Sequence, residues 1–389
     1  MNYFHWIAGS ILAVIWASRV LDAAFGMPRV ADISSAEWDP KPNTPKPRVS
    51  IIVPARNEEE HIQQTLRQLL ALDYDNYEVI AVNDRSTDRT GEIMDRMAGN
   101  APGNPCLRVI HISGLPIGWM GKPHAMWTGA NQASGEWLLF TDADVLFKPD
   151  VLSRALTYAE SQRADHVVLF PRMIMHSAGE RMMVAFFQTL FVFGHRPWKV
   201  ADSRTQDHMG IGAFNLIRRR VYDAIGTYQA LRFEVLDDMK LGKLVKNAGY
   251  AQHNVFGNDL ISLRWVTGAT GMVHNLTKNF FAIMSFQWPR TLASLLMLLF
   301  LNLLPFLGVW LAHGWARWPY AVALICVAGI YVGMSRLSDV PAYFFFLHPV
   351  STVMFAYILL RSMILTLRQR GIFWRGTFYP LDELRKGMV

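Results

Sequence analysis

Charged residues and cysteines are both scarce in this chain of 389 residues. Asp, Glu, Lys and Arg make up 18% of it, whereas 51% is hydrophobic, a balance that allows for segments buried in lipid. The two cysteines are Cys106 and Cys326, and Cys326 lies inside an apolar run, which disfavours a structural disulfide. We therefore expect the water-soluble part of the chain to face a reducing compartment.

Three sequence patterns are also missing. No G-x-G-x-x-G follows a predicted strand, which argues against a dinucleotide cofactor. No internal repeat is evident, and the basic residues do not cluster into a motif that contacts a nucleic-acid groove. The net charge of +7 and the pI of about 9.4 therefore favour an anionic membrane surface or an anionic small substrate over nucleic acid.

The N-terminal apolar run predicts attachment to a membrane. Residues 6–17 are almost all apolar and no Lys or Arg precedes them, so a cleaved signal peptide is disfavoured. We predict a membrane anchor over residues 1–25 with its C-terminal side in the cytoplasm. A linker rich in Pro, Ser and Lys follows over residues 26–48.

Three further apolar runs lie near the C-terminus, at residues 292–311, 320–334 and 343–365. The first is uncharged over about twenty residues, which is enough to cross a bilayer. We assign residues 266–290 to an interfacial segment, 291–366 to membrane segments and 367–389 to a basic interfacial tail. Three crossings after a cytoplasmic domain would place that tail outside, against the positive-inside rule, so we expect one segment to be re-entrant or interfacial.

Predicted strands and helices alternate between residues 49 and 265. Strands are expected at 49–54, 79–82, 107–112, 137–141 and 167–170, and helices at 58–72, 87–97, 123–132 and 237–247. This order predicts an α/β domain with a mainly parallel sheet covered on both faces. Such sheets bind ligands beyond the carboxyl ends of their strands, where Asn57, Asp84 and Asp144 all fall.

An acidic pair, Asp142 and Asp144, follows the predicted strand that ends at Thr141. Two carboxylates at i and i+2, where a strand opens into a loop, can hold Mg²⁺ or Mn²⁺ and leave coordination positions for substrate phosphates. The alternative for this pair alone is a solvated turn or a helix N-cap, which is the commoner context of such residues.

Two other loops carry polar residues at strand ends. Asn57 follows the first strand, where it is expected to cap the next helix, a role that does not exclude nucleotide contact at the same turn. Asp84 follows the second strand, where it can accept a hydrogen bond from a base N–H, while Ser86 or Thr87 caps the next helix. A capped turn without a ligand is the alternative for Asp84.

Two predicted helix starts carry charge. Lys122 lies beside the start of a helix, where its charge and the backbone N–H groups of the first turn can bind a diphosphate. A loop with one solvated lysine is the alternative. Asp237 and Asp238 open the helix at 237–247, where acids complement the helix dipole. Alternatively, Asp238 is a general base that takes a proton from an attacking hydroxyl.

A basic and aromatic pair, Arg264 and Trp265, ends the α/β stretch. Arg264 can neutralise a departing diphosphate and Trp265 can form a floor for an acceptor, whereas an interfacial patch beneath the membrane segments is the alternative. Aromatic residues between positions 280 and 288 either anchor the domain at the interface, which we favour, or guide a lipid acceptor.

Taken in order, these motifs resemble the membrane-bound family 2 glycosyltransferases with the GT-A fold. The residues that carry the resemblance are Pro54, Arg56, Asn57, Glu58, Asp84, Gly118, Gly121, Lys122, Asp142, Asp144, Asp237, Asp238, Leu241, Arg264 and Trp265. The stretches 118–122 and 371–379 are similar to the hopanoid-associated, ceramide-glucosyltransferase-like and carotenoid-glycosylating branches. The resemblance spans roughly residues 49–280. It implies an integral protein of the plasma (inner) membrane whose catalytic domain, residues 49–265, is cytoplasmic.

The resemblance also implies a reaction, namely inverting transfer from a nucleotide-diphosphate sugar to a lipid hydroxyl acceptor, with Mg²⁺ or Mn²⁺ as cofactor. It implies that Asp84 contacts the nucleobase, that Asp142 contacts the ribose or the metal, and that Asp144 binds the metal. Asp238 is then the base. The remaining donor-binding residues implied are Pro54, Arg56, Asn57, Glu58 and Lys122, with Asp237 and Arg264 in the catalytic set and Trp265 at the acceptor.

Two positions depart from the family pattern. Ile261 stands where Gln or Arg begins the usual motif, which weakens the case for a processive polysaccharide synthase. Asp237 stands where the family has Glu, so the spacing to Leu241 is what favours Asp238 as the base. A polysaccharide synthase and a non-catalytic nucleotide-binding scaffold remain as alternatives, and the sugar, the nucleobase and the oligomeric state are left open.

Overall fold

The computed structural model describes residues 2–40, 46–99 and 106–387. Its contacts divide the chain into two compact units. The helical unit comprises Met1–Arg29, Met175–Trp198 and Trp265–Arg385, and the α/β unit comprises Val30–Ile174, Lys199–Arg264 and Lys386–Val389. Residues 41–45 of the predicted linker lie outside the described residues.

Helices and strands follow one another along the chain. The helices are α1 (Asn2–Gly26), α2 (Ile62–Leu69), α3 (Thr90–Gly99), α4 (Gly121–Gln132), α5 (Val151–Ser161), α6 (Ala178–Gly194), α7 (Arg219–Ala224), α8 (Asp237–Asn247), α9 (Gly268–Ile283), α10 (Trp288–Asn302), α11 (Leu304–Leu311), α12 (Trp318–Met334), α13 (His348–Gln369) and α14 (Leu381–Lys386). The strands are β1 (Val49–Ala55), β2 (Tyr77–Asp84), β3 (Cys106–Ile112), β4 (Trp137–Phe140), β5 (Leu146–Phe147), β6 (His166–Leu169), β7 (Arg172–Met173), β8 (Asn215–Arg218), β9 (Gln252–Val255), β10 (Ile261–Leu263), β11 (Gly371–Trp374) and β12 (Thr377–Pro380).

The α/β unit is built on a seven-stranded sheet in the order β3-β2-β1-β4-β8-β6-β9. The strands β3, β2, β1 and β4 run parallel. The apolar sequences of β1, β2 and β4 predict this, because strands buried on both faces need no polar alternation, whereas β3 at the edge of the sheet is partly exposed. The sequence pattern missed β8, which runs antiparallel to both β4 and β6. The expectation of an α/β fold with a mainly parallel sheet is confirmed.

The predicted linker contains an ordered part. Ile33 is fully buried, and its backbone N–H donates to the carbonyl oxygen of Phe256 at 2.8 Å. The ring of Trp38 lies 4.9 Å from that of Tyr158. Residues 30–40 of the predicted linker therefore pack against the rest of the α/β unit.

The helical unit contains three helices long and apolar enough to cross a membrane among the described residues: Tyr3–Arg29, Gly314–Met334 and Ala342–Gln369. The predicted span at 292–311 is wrong as a single helix. Helix α10 ends at Asn302 and α11 begins at Leu304, because Pro305 lacks the N–H that a continuous helix needs there. Instead, α9 and α10 form a pair bent by 118°, with Ser285 and Phe286 both at φ +54° in the bend.

A buried hydrogen-bond cluster secures the sheet at the end opposite the site described below. The carboxylate of Glu78 on β2 accepts hydrogen bonds from the Ser50 hydroxyl (2.7 Å) and from the backbone and hydroxyl of Ser134 (2.8 and 2.7 Å). Burial by itself raises the pKa of Glu78. The hydrogen bonds from Ser134 and Ser50 lower it, and on balance the pKa lies below its usual value. Its contribution to stability is therefore present at neutral pH and is lost as the pH falls through the lowered pKa.

We predict that Ser50→Ala destabilises the α/β unit by about 1–3 kcal/mol. It removes the hydroxyl that donates to Glu78 and accepts from Gly135 N–H at 2.8 Å, leaving buried groups without a partner. The unfolding midpoint in detergent measures this loss. Ser161→Ala is the control, because that exposed hydroxyl bonds only within its own helix; equal shifts in both variants would contradict the prediction.

Candidate active site

Carboxylates gather beyond the carboxyl end of β4. Asp142 and Asp144 follow that strand, and the Nζ of Lys122, in the first turn of α4, lies 2.6 Å from Oδ1 of Asp142. Burial raises the pKa of Asp144 to about 6, and the negative charges of Asp142 and Glu58 raise it further. The predicted metal pair thus lies in a partly buried site rich in negative charge, not in a solvated turn.

The second acid pair lies in the first turn of α8. Asp237 is 3% exposed, and its Oδ2 has no hydrogen-bond partner in the described part of the chain. Burial raises its pKa to about 7 although the charge of Lys122 lowers it. Asp238 is half-buried, and its carboxylate accepts from the backbone N–H groups of Met239 (2.7 Å) and Gly212 (2.8 Å).

One lysine serves both acid pairs. Burial alone would lower the pKa of Lys122, but the charges of Asp142, Asp237 and Asp238 raise it well above its usual range. The side chain therefore stays charged at every physiological pH. The predicted residues Lys122, Asp142, Asp144, Asp237 and Asp238 thus share one electrostatic site.

Gly212 joins the two acid pairs, and the sequence interpretation missed it. Its carbonyl oxygen accepts from Asp142 N–H at 3.0 Å, while its own N–H donates to Asp238. A Cβ here would overlap Oδ2 of Asp142 and lie 3.2 Å from the Nζ of Lys122, so any larger residue would displace the Asp142 carboxylate. The available signal was Gly210 and Gly212 spaced by two residues just ahead of an apolar strand.

The loops after β1 and β2 hold each other in place. Asn57, at φ +55°, accepts from Thr87 N–H at 2.8 Å through its side chain and donates its own N–H to the Ser86 hydroxyl at 3.0 Å. The interpretation of Asn57 as an N-cap is wrong, because α2 begins only at Ile62. Ser86 and Thr87 do not cap α3 either; Asp88 accepts from Thr90 N–H at 3.0 Å instead.

Asp84, the residue predicted to contact the nucleobase, already has a hydrogen-bond partner within the protein. Both carboxylate oxygens of Asp84, which is 4% exposed, accept from Arg85 (2.7 and 3.0 Å). A Cβ at Gly121 would lie 2.6 Å from both side chains, so α4 approaches this pair as closely as a backbone can. Pro54 is buried at the end of β1 beside half-buried Arg56 and Glu58.

The last predicted pair is divided between the two units. Arg264 is exposed just after β10, in the α/β unit. Trp265 is half-buried in the helical unit, its ring 4.7 Å from that of Phe187. The placement of Trp265 at an acceptor stays a prediction.

Residues 50–239 match the family model described as Glycosyl transferase family 2. This part of the chain is a family 2 glycosyltransferase domain. This confirms the resemblance seen in the motifs and sets aside the alternative of a non-catalytic scaffold.

The glycosyltransferase is similar to curated carotenoid enzymes. It is 24% identical over 236 residues to the 4,4'-diaponeurosporenoate glycosyltransferase of Staphylococcus haemolyticus, covering 59% of this chain and 60% of that protein. It is 21% identical over 341 residues to the protein of the same name from Staphylococcus aureus strain USA300, covering 86% of this chain and 89% of the relative.

Its fold is similar to that of a mannosyltransferase from Pyrobaculum calidifontis, solved in complex with GDP-Man and Mn²⁺. The TM-score is 0.53 at 18% identity, covering 93% of this chain and 99% of the other. This likeness confirms the GT-A fold that the motifs predicted.

The glycosyltransferase offers two carboxylates to a metal ion, those of Asp142 and Asp144. Within the described residues, no group of three or more His, Cys, Asp or Glu side chains is arranged to hold one. An ion bound here would need oxygen ligands from a substrate to complete its shell.

We predict that Gly212→Ala lowers sugar transfer by about 10²-fold or more. The added methyl group displaces the Asp142 carboxylate and the turn that bonds Asp238, and a shift of about 1 Å in a catalytic group costs about that much. Initial rates measure the loss. Gly114→Ala is the control, because nothing lies within 4 Å of a Cβ there; similar losses in both variants would refute the prediction.

Proposed function

We propose that the enzyme transfers a sugar from a nucleotide-diphosphate sugar to a lipid hydroxyl at the membrane surface, with inversion at the anomeric carbon. The observation that carries the proposal is the convergence of two acid pairs on Lys122, joined through Gly212. One pair suits a cation and a diphosphate, and the other suits a hydroxyl that must lose its proton.

The donor side fits a divalent cation held by Asp142 and Asp144. Burial and mutual repulsion raise the pKa of Asp144, and a cation at this position would relieve that repulsion. When bound, Mg²⁺ or Mn²⁺ supplies positive charge to the departing diphosphate. Lys122 adds a permanent cation from the first turn of α4. The complex of the Pyrobaculum mannosyltransferase with GDP-Man and Mn²⁺ supports the same ligand classes here.

Arg264 is proposed as a further cation for the diphosphate. Strands β10 and β5 pair antiparallel, with Ile261 opposite Phe147 and Ser262 opposite Leu146. Arg264 directly follows β10, and Asp144 lies two residues before β5, the strand with which β10 pairs. The side chain of Arg264 is exposed.

Asp238 is the proposed base and Asp237 its electrostatic partner. Both oxygens of Asp238 are oriented by backbone N–H groups, and its side chain is only half-buried, so an incoming hydroxyl can approach it. Burial and the negative charge of Asp142 raise the pKa of Asp238, which makes it a stronger base. Asp237 lies buried beside it, with an oxygen that has no partner among the described residues. In the reaction, the hydroxyl oxygen bonds to the anomeric carbon, its proton passes to Asp238, and the nucleoside diphosphate leaves.

The acceptor is proposed to be a membrane lipid. The Staphylococcus relatives are named for a carotenoid acid, a long apolar molecule with one polar end. The helical unit exposes large apolar side chains of the kind that face lipid, including Leu296, Trp310, Ile325, Val353 and Tyr357. Two crossings by α12 and α13 after a cytoplasmic catalytic domain return the basic tail to the cytoplasm, in keeping with the positive-inside rule.

A polysaccharide synthase is the weaker alternative. A growing polymer needs a channel through the membrane, and the described chain has three candidate spans, or four if the bent pair α9–α10 is one of them. Ile261 at the start of the Arg264–Trp265 motif also departs from the processive pattern. Addition of a single sugar to a lipid needs neither feature.

We predict that Asp238→Asn lowers kcat with a hydroxyl acceptor by about 10²–10⁴-fold, because an amide cannot take the proton. A carboxylate acceptor is already ionised and should lose much less. Labelled donor with lipid alcohols and acids measures both rates. Asp237→Asn is the companion variant, because it removes one charge and leaves the proposed base in place. Undiminished transfer to alcohols by folded Asp238→Asn would remove Asp238 as the base.

We predict that Mn²⁺-dependent binding of a nucleoside diphosphate is about tenfold weaker at pH 5.0 than at pH 7.5. Asp144, with a pKa of about 6, is then mostly protonated and must lose that proton to bind the ion. The raised pKa has the opposite effect on the metal-free protein, whose stability falls as the pH rises through this range.

Calorimetry at the two pH values measures the change in affinity. Asp144→Asn should abolish the metal dependence, and Glu60→Gln, an exposed change in a neighbouring loop, should preserve it. Equal affinity at both pH values, or full metal dependence in Asp144→Asn, would count against the metal site.

A further inference from the structure

A buried amide holds the turn that contains Gly212. Gln252, the first residue of β9, is 1% exposed, and its Oε1 accepts from Met209 N–H at 2.9 Å. Its Nε2 donates to the carbonyl oxygens of Met209 and Gly242, both at 3.1 Å. The side chain of Gln252 therefore forms hydrogen bonds with both the N–H and the carbonyl group of Met209 and also with Gly242 of α8, the helix that carries Asp237 and Asp238.

Two further buried side chains orient this amide. The Nδ1 of His166 accepts from Nε2 of Gln252 at 2.8 Å, so the two N–H bonds of this amide are shared among three acceptors. The opposite ring nitrogen of His166 donates to Oδ1 of Asn215 at 3.1 Å. The Nδ2 of Asn215 in turn donates to the carbonyl oxygen of Ile211 at 2.6 Å. The strands β6, β8 and β9 thus each contribute one side chain to a hydrogen-bond network. This network binds the backbone of the turn at Met209 and at Ile211.

The backbone of this turn packs directly against the backbone of α8. A Cβ at Gly210 would overlap the carbonyl oxygen of Asp238, and a Cβ at Gly242 would overlap that of Met209. At the end of the turn, Gly212 bonds Asp142 on one side and Asp238 on the other. The position of this turn therefore sets the distance between an acid of the donor pair and the acid proposed as base.

We propose that Gln252 is a positioning residue for sugar transfer, acting through the turn 209–212 on the spacing of Asp142 and Asp238. It contacts no proposed substrate group. The proposal rests on the proposed roles of these two acids. Because Asp142 follows β4 and Asp238 belongs to α8, the register of the central sheet does not by itself hold them together; the clamped turn does.

The test replaces Gln252 with Met, which has nearly the same volume but forms none of the four polar contacts. Titration with a nucleoside diphosphate and Mn²⁺ counts binding-competent sites, and kcat is expressed per such site. A role limited to folding would lower the number of sites and leave kcat per site unchanged. We expect near-full stoichiometry, donor KM within about threefold of wild type, and kcat per site lower by about 10–100-fold.

Asn254→Ala is the matched control. Asn254 lies on the same strand and side of the sheet as Gln252, is 5% exposed, and its amide nitrogen has no hydrogen-bond partner within the described residues. It should keep kcat per site within about threefold. A wild-type rate per site in Gln252→Met, or an equal loss in Asn254→Ala, overturns the proposal. Failure of the wild-type enzyme to bind any nucleoside diphosphate would instead overturn the proposed function.

Discussion

Several partly buried carboxylates surround a single ammonium group, that of Lys122. The structure depends on this electrostatic constraint. Lys122 faces Asp142, Asp237 and Asp238, and burial raises the pKa of the acids Asp144 and Asp237 toward neutrality. Such an arrangement costs folding free energy, since each carboxylate gives up hydration that one lysine cannot fully replace. A protein retains charges of this kind where a substrate or a cation completes them.

The opposite end of the sheet shows what a carboxylate looks like when its role is structural. Glu78 is as buried as Asp237, yet hydroxyl and backbone donors surround it and its pKa falls. Asp237 has an oxygen without a described partner and a pKa that rises. The buried carboxylate at the start of β2 is therefore satisfied within the protein, whereas that of Asp237 in the first turn of α8 keeps one oxygen without a partner among the described residues.

Much of the fold was predictable because its signals are local. The apolar runs of β1, β2 and β4 are long enough to identify buried strands, and the acids after them mark the ligand-binding edge. The caps were mispredicted, because Asn57 and Thr87 satisfy each other across two loops that are distant in sequence. The run at 292–311 was mispredicted because hydropathy does not register the helix break before Pro305.

The sequence by itself determined the positions of β1, β2, β3 and β4, the residue types beyond the carboxyl ends of those strands, and the apolar segments at both termini, since each depends on neighbouring residues. Only the tertiary structure decided that Asp142 and Asp238 share Gly212 and that Gln252 supports that turn. Burial, charge pairing and hydrogen bonding depend on groups that approach through space. No short-range pattern of residues contains those distances.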